Sequence, residues 1–437
     1  MTDVLTDQCW PAPPSPERSR YSFGVLVKPV GAICNLDCEY CYYLRKRDLY
    51  PDGHPRMSEE LMALYIRQLL EAQPDTDIEI AWHGGEPTVR GLPFYRAMVA
   101  AVDRYRRPGQ HITHVLQTNG TLLDDQWGEF LAANGALVGI SVDGPPRLHD
   151  AYRHDRRGRP TAERVLAGLD VLRRHGVEHN ILCTVNAANA SEPLTVYRYF
   201  RDELKERYLQ FIPVVEQTVT ADGISTDGPI DDVARVSTRS VSAEQWGAFL
   251  CAIFDEWLRR DVGSVFVQQF DAALAAWVGA SPGSCVFAET CGMALALEHN
   301  GDLYSCDHFV DPEHRLGNIR ETHLLDLVSS QQQQRFGLAK RDSLPSDCRG
   351  CEFKFACWGE CPRNRFLTTA AGEPGLNYLC AGYKRYFGHV AGPMRLMAEL
   401  LRAGRAPSEV IELFARAPRN GPCPCGSGRK AKHCHCR

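Results

Sequence analysis

From residue 21 to about 215 the chain alternates short apolar runs with longer stretches whose apolar residues recur every three or four positions. The runs 23–30, 77–82, 113–117, 137–142, 180–185 and 209–214 have the length and β-branched content of strands. Between them, residues 58–72, 93–105, 124–133, 161–175 and 193–206 carry the period of amphipathic helices. Asp124 and Thr161 suit helix starts, and Gly135 and Gly176 suit stops. Strict alternation predicts an α/β fold, a parallel sheet with helices outside it. Six strands make either an open doubly wound sheet or an incomplete barrel, and periodicity does not choose between them.

The pattern then changes. Residues 216–241 are polar, with Gly and Pro, and predict a long loop or mobile insertion within a first domain over 21–240. A connecting region, 241–284, opens on an amphipathic helix at 243–260. Over 285–403 the chain is cysteine-rich with short elements, which predicts a small metal-stapled domain closed by a basic helix at 382–403. Residues 404–419 read as a linker and 420–437 as a separate cysteine module. Residues 1–20 are rich in Pro and charge and predict disorder, and the glutamine run 331–334 predicts a solvated turn or helix.

Composition narrows the class. At 437 residues the chain suggests two or three units, and 44% hydrophobic with 24% charged residues is ordinary for a globular protein. A net charge of −5 argues against nucleic acid as a partner. There is no N-terminal apolar run of a signal peptide, and no stretch approaches the ~18 apolar residues of a membrane span. The expectation is a cytoplasmic protein with no membrane partner. Eighteen cysteines are the outlier. In a cytosolic chain of this size, clustered cysteines point to metal rather than disulfides. Fifteen of the 18 fall into three groups, while Cys9, Cys183 and Cys251 stand apart and read as ordinary thiols.

The first group, Cys34, Cys38 and Cys41, follows directly on the first strand. Three thiolates closing in one loop can hold three irons of a [4Fe–4S] cube and leave the fourth iron for an exogenous chelate. Tetrahedral zinc competes, but it calls for a fourth ligand nearby. His83, Gly84, Gly85 and Glu86 end the second strand, Gln117 and Asn119 the third, and Ser141 the fourth. Each set alone reads as a turn. Together they converge on the C-terminal ends of parallel strands, where α/β folds place their sites. The paired glycines admit close approach to backbone, and Glu86 can receive an ammonium.

Through CNLDCEYC at 34–41 and GGEP at 84–87, residues 21–215 resemble the radical S-adenosylmethionine superfamily. The resemblance implies a partial (β/α)6 TIM-like barrel and S-adenosylmethionine chelated to the fourth iron. It would place Tyr40 near the adenine and Gly84, Gly85 and Glu86 at the methionyl amino end, with Ser141 and Arg153 as further contacts.

The second group is Cys285, Cys291, Cys306, Cys348, Cys351, Cys357, Cys361 and Cys380. Eight thiolates saturate two four-iron clusters, or equally two four-cysteine zinc sites. Co-occurrence with the first group favours iron. The spacing resembles the SPASM extension of peptide-modifying radical enzymes. That resemblance implies one cluster on Cys285, Cys291, Cys306 and Cys361 and another on Cys348, Cys351, Cys357 and Cys380, three [4Fe–4S] clusters in all. The segments LEHNGDLYSCDHF at 297–309 and LGNI at 316–319 are similar to the anaerobic sulfatase-maturating enzymes. In that family Asp307 would match the proposed general base; by itself it also reads as a turn residue.

The tail places Cys423 and Cys425 one residue apart, with Cys434, His435 and Cys436 following. The set suits one tetrahedral Zn2+. It closely resembles the SEC-C motif, which implies Cys423, Cys425, Cys434 and His435 as ligands, with Cys436 able to replace His435. The tail is not standard among the maturases. Its Arg and Lys residues read as a partner surface or as a solvated face.

The functional expectation is a radical S-adenosylmethionine oxidoreductase. It converts a Cys or Ser of an unfolded or nascent sulfatase polypeptide to formylglycine, with ferredoxin or flavodoxin as low-potential electron donor. By the family resemblance, a 5′-deoxyadenosyl radical removes a Cβ hydrogen, Asp307 takes the heteroatom proton, and an auxiliary cluster accepts an electron. Two other readings share parts of the pattern: a thioether-forming or epimerising radical enzyme, and a non-catalytic, zinc-stabilised binding protein.

Overall fold

A computed structural model describes residues 18–19, 21–51, 55–217, 230–231 and 236–435. The expectation of disorder at 1–20 falls almost wholly outside them. In chain order the main elements are β1 (Gly24–Val27), α1 (Glu59–Ala72), β2 (Asp77–Trp82), α2 (Leu92–Tyr105), β3 (His111–Thr118), α3 (Asp125–Ala133), β4 (Leu137–Ser141) and α4 (Ala162–Arg174). There follow β5 (Glu178–Val185), α5 (Pro193–Arg198), β6 (Tyr208–Pro213), α6 (Ala243–Arg260), α7 (Gln268–Val278), β7 (Ala294–Leu297), β8 (Asp302–Tyr304), β9 (Arg315–Asn318), α8 (Leu324–Val328), α9 (Gln331–Asp342), α10 (Cys380–Arg402) and α11 (Val410–Ala415).

The chain divides into two compact units. The first holds the residues up to Ser141, Arg153–His179 and Glu289–Ser343. Its strand order is β9-β8-β7-β1-β2-β3-β4, and β1 to β4 run parallel in sequence order. A doubly wound sheet reverses its strand order at a switch point. Within this unit the winding from β1 to β4 never reverses, which is the barrel alternative. Ser58 and Asp124 cap α1 and α3 by accepting from the backbone N–H groups of Leu61 and Trp127. Thr161 sits at the start of α4 but bonds the Arg153 carbonyl instead, at 2.9 Å. On α1, Leu61, Met62, Tyr65, Ile66, Leu69 and Leu70 form one buried stripe at helical spacing. Beneath it Trp82 meets Tyr65, Phe94 and Tyr95 edge-on, with ring centroids 5.5–6.4 Å apart.

The sheet does not stop at β1. β7 pairs parallel with it, from Gly24↔Ala294 to Val27↔Leu297, and β8 and β9 add antiparallel strands. Residues 289–343, part of the stretch expected as a cysteine-rich domain, thus extend the sheet of the first unit.

The second unit comprises Val142–Tyr152, Asn180–Ala288 and Leu344–Arg437. In it β5 and β6 pair parallel, and a two-residue strand at Phe266–Val267 follows β6. The helix expected over 193–206 starts as α5 and continues as a π-helical turn, Tyr199–Glu203. At the base of the expected insertion, Gln217 bridges to Val236, and Arg239 pairs with Glu216 at 3.0 Å. α6 opens on a full capping box of Ser242 and Gln245. It lies against α10 backbone to backbone: a Cβ on Gly382 would meet the Ala243 carbonyl at 2.1 Å. The stretch read as a linker carries a 3-10 turn, Pro407–Glu409, and α11, whose Val410 and Phe414 are buried.

Candidate active site

β1 delivers the chain into the loop of Cys34, Cys38 and Cys41. Several bonds fix that loop. Gly85 N–H donates to the Gly31 carbonyl at 2.9 Å, and Glu86 N–H to Ile33 at 2.8 Å. Asp37 N–H donates to His154 at 2.8 Å. The Cys34 sulfur accepts from Leu36 N–H at 3.3 Å and faces Asn119 Nδ2 at 3.7 Å. Burial, with Glu86 adding, pushes the Cys34 thiol up to about 12, and burial also raises Cys41. Such thiols ionise when a cation compensates them. Among the described residues the eleven cysteines of the first two groups form no cluster of donors within 4.8 Å of one another, whereas the tail does.

The strand-end residues gather beside this loop. Gly84 has φ +121°, a conformation open to glycine, and a Cβ on Gly85 would meet the Ile33 carbonyl at 2.0 Å. Glu86 is buried, and its carboxylate accepts from Thr88 N–H (3.1 Å), Thr88 Oγ1 (2.6 Å), Thr118 Oγ1 (2.7 Å) and Asn119 N–H (2.8 Å). Three of those donors meet Oε1 and one meets Oε2, so the side chain braces the ends of β2 and β3. Asn119 Nδ2 donates to Asn35 Oδ1 at 2.9 Å, tying β3 to the cysteine loop. Arg153 lies over the Tyr40 ring, its guanidinium carbon 5.6 Å from the centroid. Ser141, buried, ends β4.

His83, itself bonded by Gln117, touches a group the sequence reading missed. Lys28, directly after β1, is 0% exposed. Its ammonium faces His83 Nδ1 at 2.7 Å, lies 4.7 Å from the Tyr43 ring centroid, and pairs with the Asp307 carboxylate. Burial, then the neighbouring Lys28 charge, pushes His83 down to about 3, while a bond to Gln117 opposes the shift. The imidazole is therefore neutral, with Nδ1 accepting from Lys28. Tyr42 donates its hydroxyl proton to Asp307. Burial raises the Asp307 carboxyl, but Lys28, His83 and His308 together outweigh it and hold the group far below the usual carboxylate range. A lysine after an apolar strand reads as a solvated end; only its buried partners reveal it.

Of the second group, Cys291 and Cys306 lie in the first unit, and Cys285 and Cys361 in the second. Cys348, Cys351, Cys357 and Cys380 line one cavity of the second unit with Lys354, Asn377 and Tyr383. Burial, then Glu360, pushes Cys357 up to about 12. In the tail the donor atoms of Cys423, Cys425, Cys434 and His435 lie within 4.8 Å of one another. Cys436, the other candidate, lies outside the described residues.

Comparison with known proteins adds to this geometry. Residues 29–198 match the Radical SAM superfamily, 285–352 the SPASM iron–sulfur cluster-binding domain, and 419–436 the SEC-C motif. The chain is 47% identical to the serine-type anaerobic sulfatase-maturating enzyme of Bacteroides thetaiotaomicron, over 89% of this chain and 94% of that one. It is 37% identical to the serine-type enzyme of Klebsiella aerogenes, over 86% and 87%. Among solved structures, native anSMEcpe with bound AdoMet and the Kp18Cys peptide superposes with a TM-score of 0.76 at 29% identity, covering 86% of this chain and 99% of that one. Fold and site thus define a radical S-adenosylmethionine enzyme with a partial, barrel-like parallel sheet and a SPASM domain. Four-iron clusters and S-adenosylmethionine are its cofactors. Within that class the chain belongs to the anaerobic sulfatase-maturating enzyme family. Among the described residues no helix is long and apolar enough to cross a membrane.

Proposed function

We propose that the chain oxidises a target serine, in preference to cysteine, of a sulfatase polypeptide to formylglycine. The choice of serine rests on two serine-type relatives that align along nearly their whole length. Turning –CH2–OH into –CHO removes a Cβ hydrogen atom, a hydroxyl proton and one electron. The cofactors supply the hydrogen abstraction and take the electron; by the family pattern they are held by Cys34, Cys38 and Cys41, by Cys285, Cys291, Cys306 and Cys361, and by Cys348, Cys351, Cys357 and Cys380. Tyr40, Ser141 and Arg153 line the cofactor side, and the loop of Gly84 and Gly85, braced by Glu86, offers its backbone to the methionyl amino group.

The observation that carries the reading is the buried Lys28–Asp307 pair, with Tyr42 on the same carboxylate. The ion pair and the Tyr42 bond fix the position of the Asp307 carboxylate, and it accepts the hydroxyl proton once loss of the Cβ hydrogen has made that hydroxyl more acidic. Lys28 holds the counter-charge, and His83, neutral, orients the lysine by accepting from it. A low-potential donor such as ferredoxin or flavodoxin reduces the clusters, and the enzyme works in the cytoplasm. The test is anaerobic incubation of the reconstituted enzyme with S-adenosylmethionine, a reductant and matched peptides carrying Ser or Cys. The serine peptide loses the mass of two hydrogens, faster than the cysteine peptide is converted. An unchanged serine peptide beside a converted cysteine peptide reverses the preference, and no conversion of either rejects the reading.

A further inference from the structure

The tail is the one motif that the maturation chemistry leaves without a task. Its donor set fits a single zinc ion. Cys425 and Cys434 sulfurs are 3.5 Å apart, and His435 Nδ1 lies 3.8 Å from the Cys423 sulfur and 3.2 Å from that of Cys434. A tetrahedral ion with bonds of about 2.3 Å to sulfur and about 2.0 Å to nitrogen spans separations of this size. The loop is closed by Cys423 N–H donating to the Arg429 carbonyl at 2.8 Å and by a bridge from Pro422 to Lys430.

The knuckle is not free-standing. His435 is buried, and its other nitrogen, Nε2, donates to the main-chain carbonyl of His389 on α10 at 3.1 Å. The His389 ring lies 4.7 Å from that of His435, and its Nε2 meets Asp255 of α6 at 2.6 Å. Phe414 of α11 closes the other side, 5.8 Å from the His435 ring. At Gly392 a Cβ would meet the Cys425 carbonyl at 2.2 Å, so the knuckle rests on bare helix backbone. Metal-bound histidines commonly give their second N–H to a carbonyl or carboxylate, which fixes tautomer and ring orientation. Asp255, His389 and His435 also lie close enough to suggest a second ion. The bonds just named already engage them, so Asp255 and His389 form the layer behind the zinc ligand His435.

We propose that the tail's zinc site is a lock on the α6–α10 pair. The ion fixes His435, His435 grips α10 at His389, and Asp255 ties the same point to α6. α10 starts at Cys380, in the four-cysteine cavity, about two and a half turns before His389. The metal in the tail thus holds in register the helix that carries a cysteine of the cavity. The role is independent of which residue the enzyme oxidises.

The test uses the full-length, anaerobically reconstituted protein and three readouts: metal content, melting temperature and amide hydrogen exchange. Cys423→Ser with Cys425→Ser is expected to lose about one zinc per chain, to melt roughly 5 °C lower, and to exchange roughly tenfold faster along residues 385–397. Iron is expected to fall by up to about four per chain. Gly392→Val keeps all four ligands but blocks docking. It should retain zinc and show the same faster exchange in α10, which separates docking from metal binding and stands if the double variant fails to fold. A zinc-free double variant with wild-type melting and wild-type exchange in α6 and α10 overturns the lock. So does a Gly392→Val chain whose α10 exchanges as slowly as wild type.

Discussion

Lys28 and Asp307 form an ion pair inside the first unit, the lysine fully buried where β1 ends and the aspartate one residue after Cys306. The pair joins the end of β1 to the loop that follows β8. Replacing Lys28 by Met keeps the length of the side chain and strands the carboxylate. Breaking a buried pair from one side costs about 3–5 kcal/mol. Lys28→Met should therefore lower the denaturation midpoint strongly, while Lys28→Met with Asp307→Asn recovers part of the loss. Anaerobic denaturant titrations of the four proteins form the cycle, and strictly additive effects would mean that the pair does not interact.

Asp307→Asn preserves shape and removes the proton acceptor. Cleavage of S-adenosylmethionine should continue, because it makes no demand on the carboxylate. Formylglycine should fall by about 10²–10⁴-fold, the range for a lost general base. Quantifying 5′-deoxyadenosine and peptide mass in one reaction separates the two steps. Wild-type aldehyde yield would reduce Asp307 to a structural partner of Lys28.

Replacing Cys34, Cys38 and Cys41 together by Ala should remove about four irons per chain, the content of one cube. S-adenosylmethionine cleavage should vanish while iron bound by the other cysteines stays. Iron analysis with a cleavage assay checks both, and unchanged cleavage contradicts the assignment.

Gly85→Ala tests the seat of the cysteine loop. The added methyl would lie 2.0 Å from the Ile33 carbonyl, against backbone that cannot swing away. Overpacking of this kind costs about 1–3 kcal/mol. The variant should melt lower and hold less iron at the first cluster, even though it removes no ligand. Full iron content with an unshifted melting curve would show that the loop has room.

Much of this was legible in the sequence, for identifiable reasons. Asp77–Trp82 and Ala243–Arg260 appear where expected, because long runs of one period leave little choice of structure. The cysteines announced themselves by spacing. β7 and β8 did not: at four and three residues they are too short to show a period, and only their pairing with β1 and with each other defines them. Glu86 was recognisable as a strand-end carboxylate, but its four protein donors could not be read from a turn motif. Lys28 was hidden because burial of a charge depends on partners far away in the chain. The seating of the tail was hidden because Gly392 and His389 look unremarkable within a helical pattern.

The pairing of β7 with β1 bears on how the protein is made. β1 leaves the ribosome well before its neighbour on one side, Ala294–Leu297, which emerges only after the bulk of the second unit's first segments has been translated. Until then β1 presents an unpaired edge, the kind of surface that recruits stray strands. Lys28, too, lacks Asp307 for the whole of that interval. The first unit therefore cannot finish folding domain by domain from the N-terminus, and a ribosome stalled before residue 294 would display a half-built sheet with its cysteine loop already exposed.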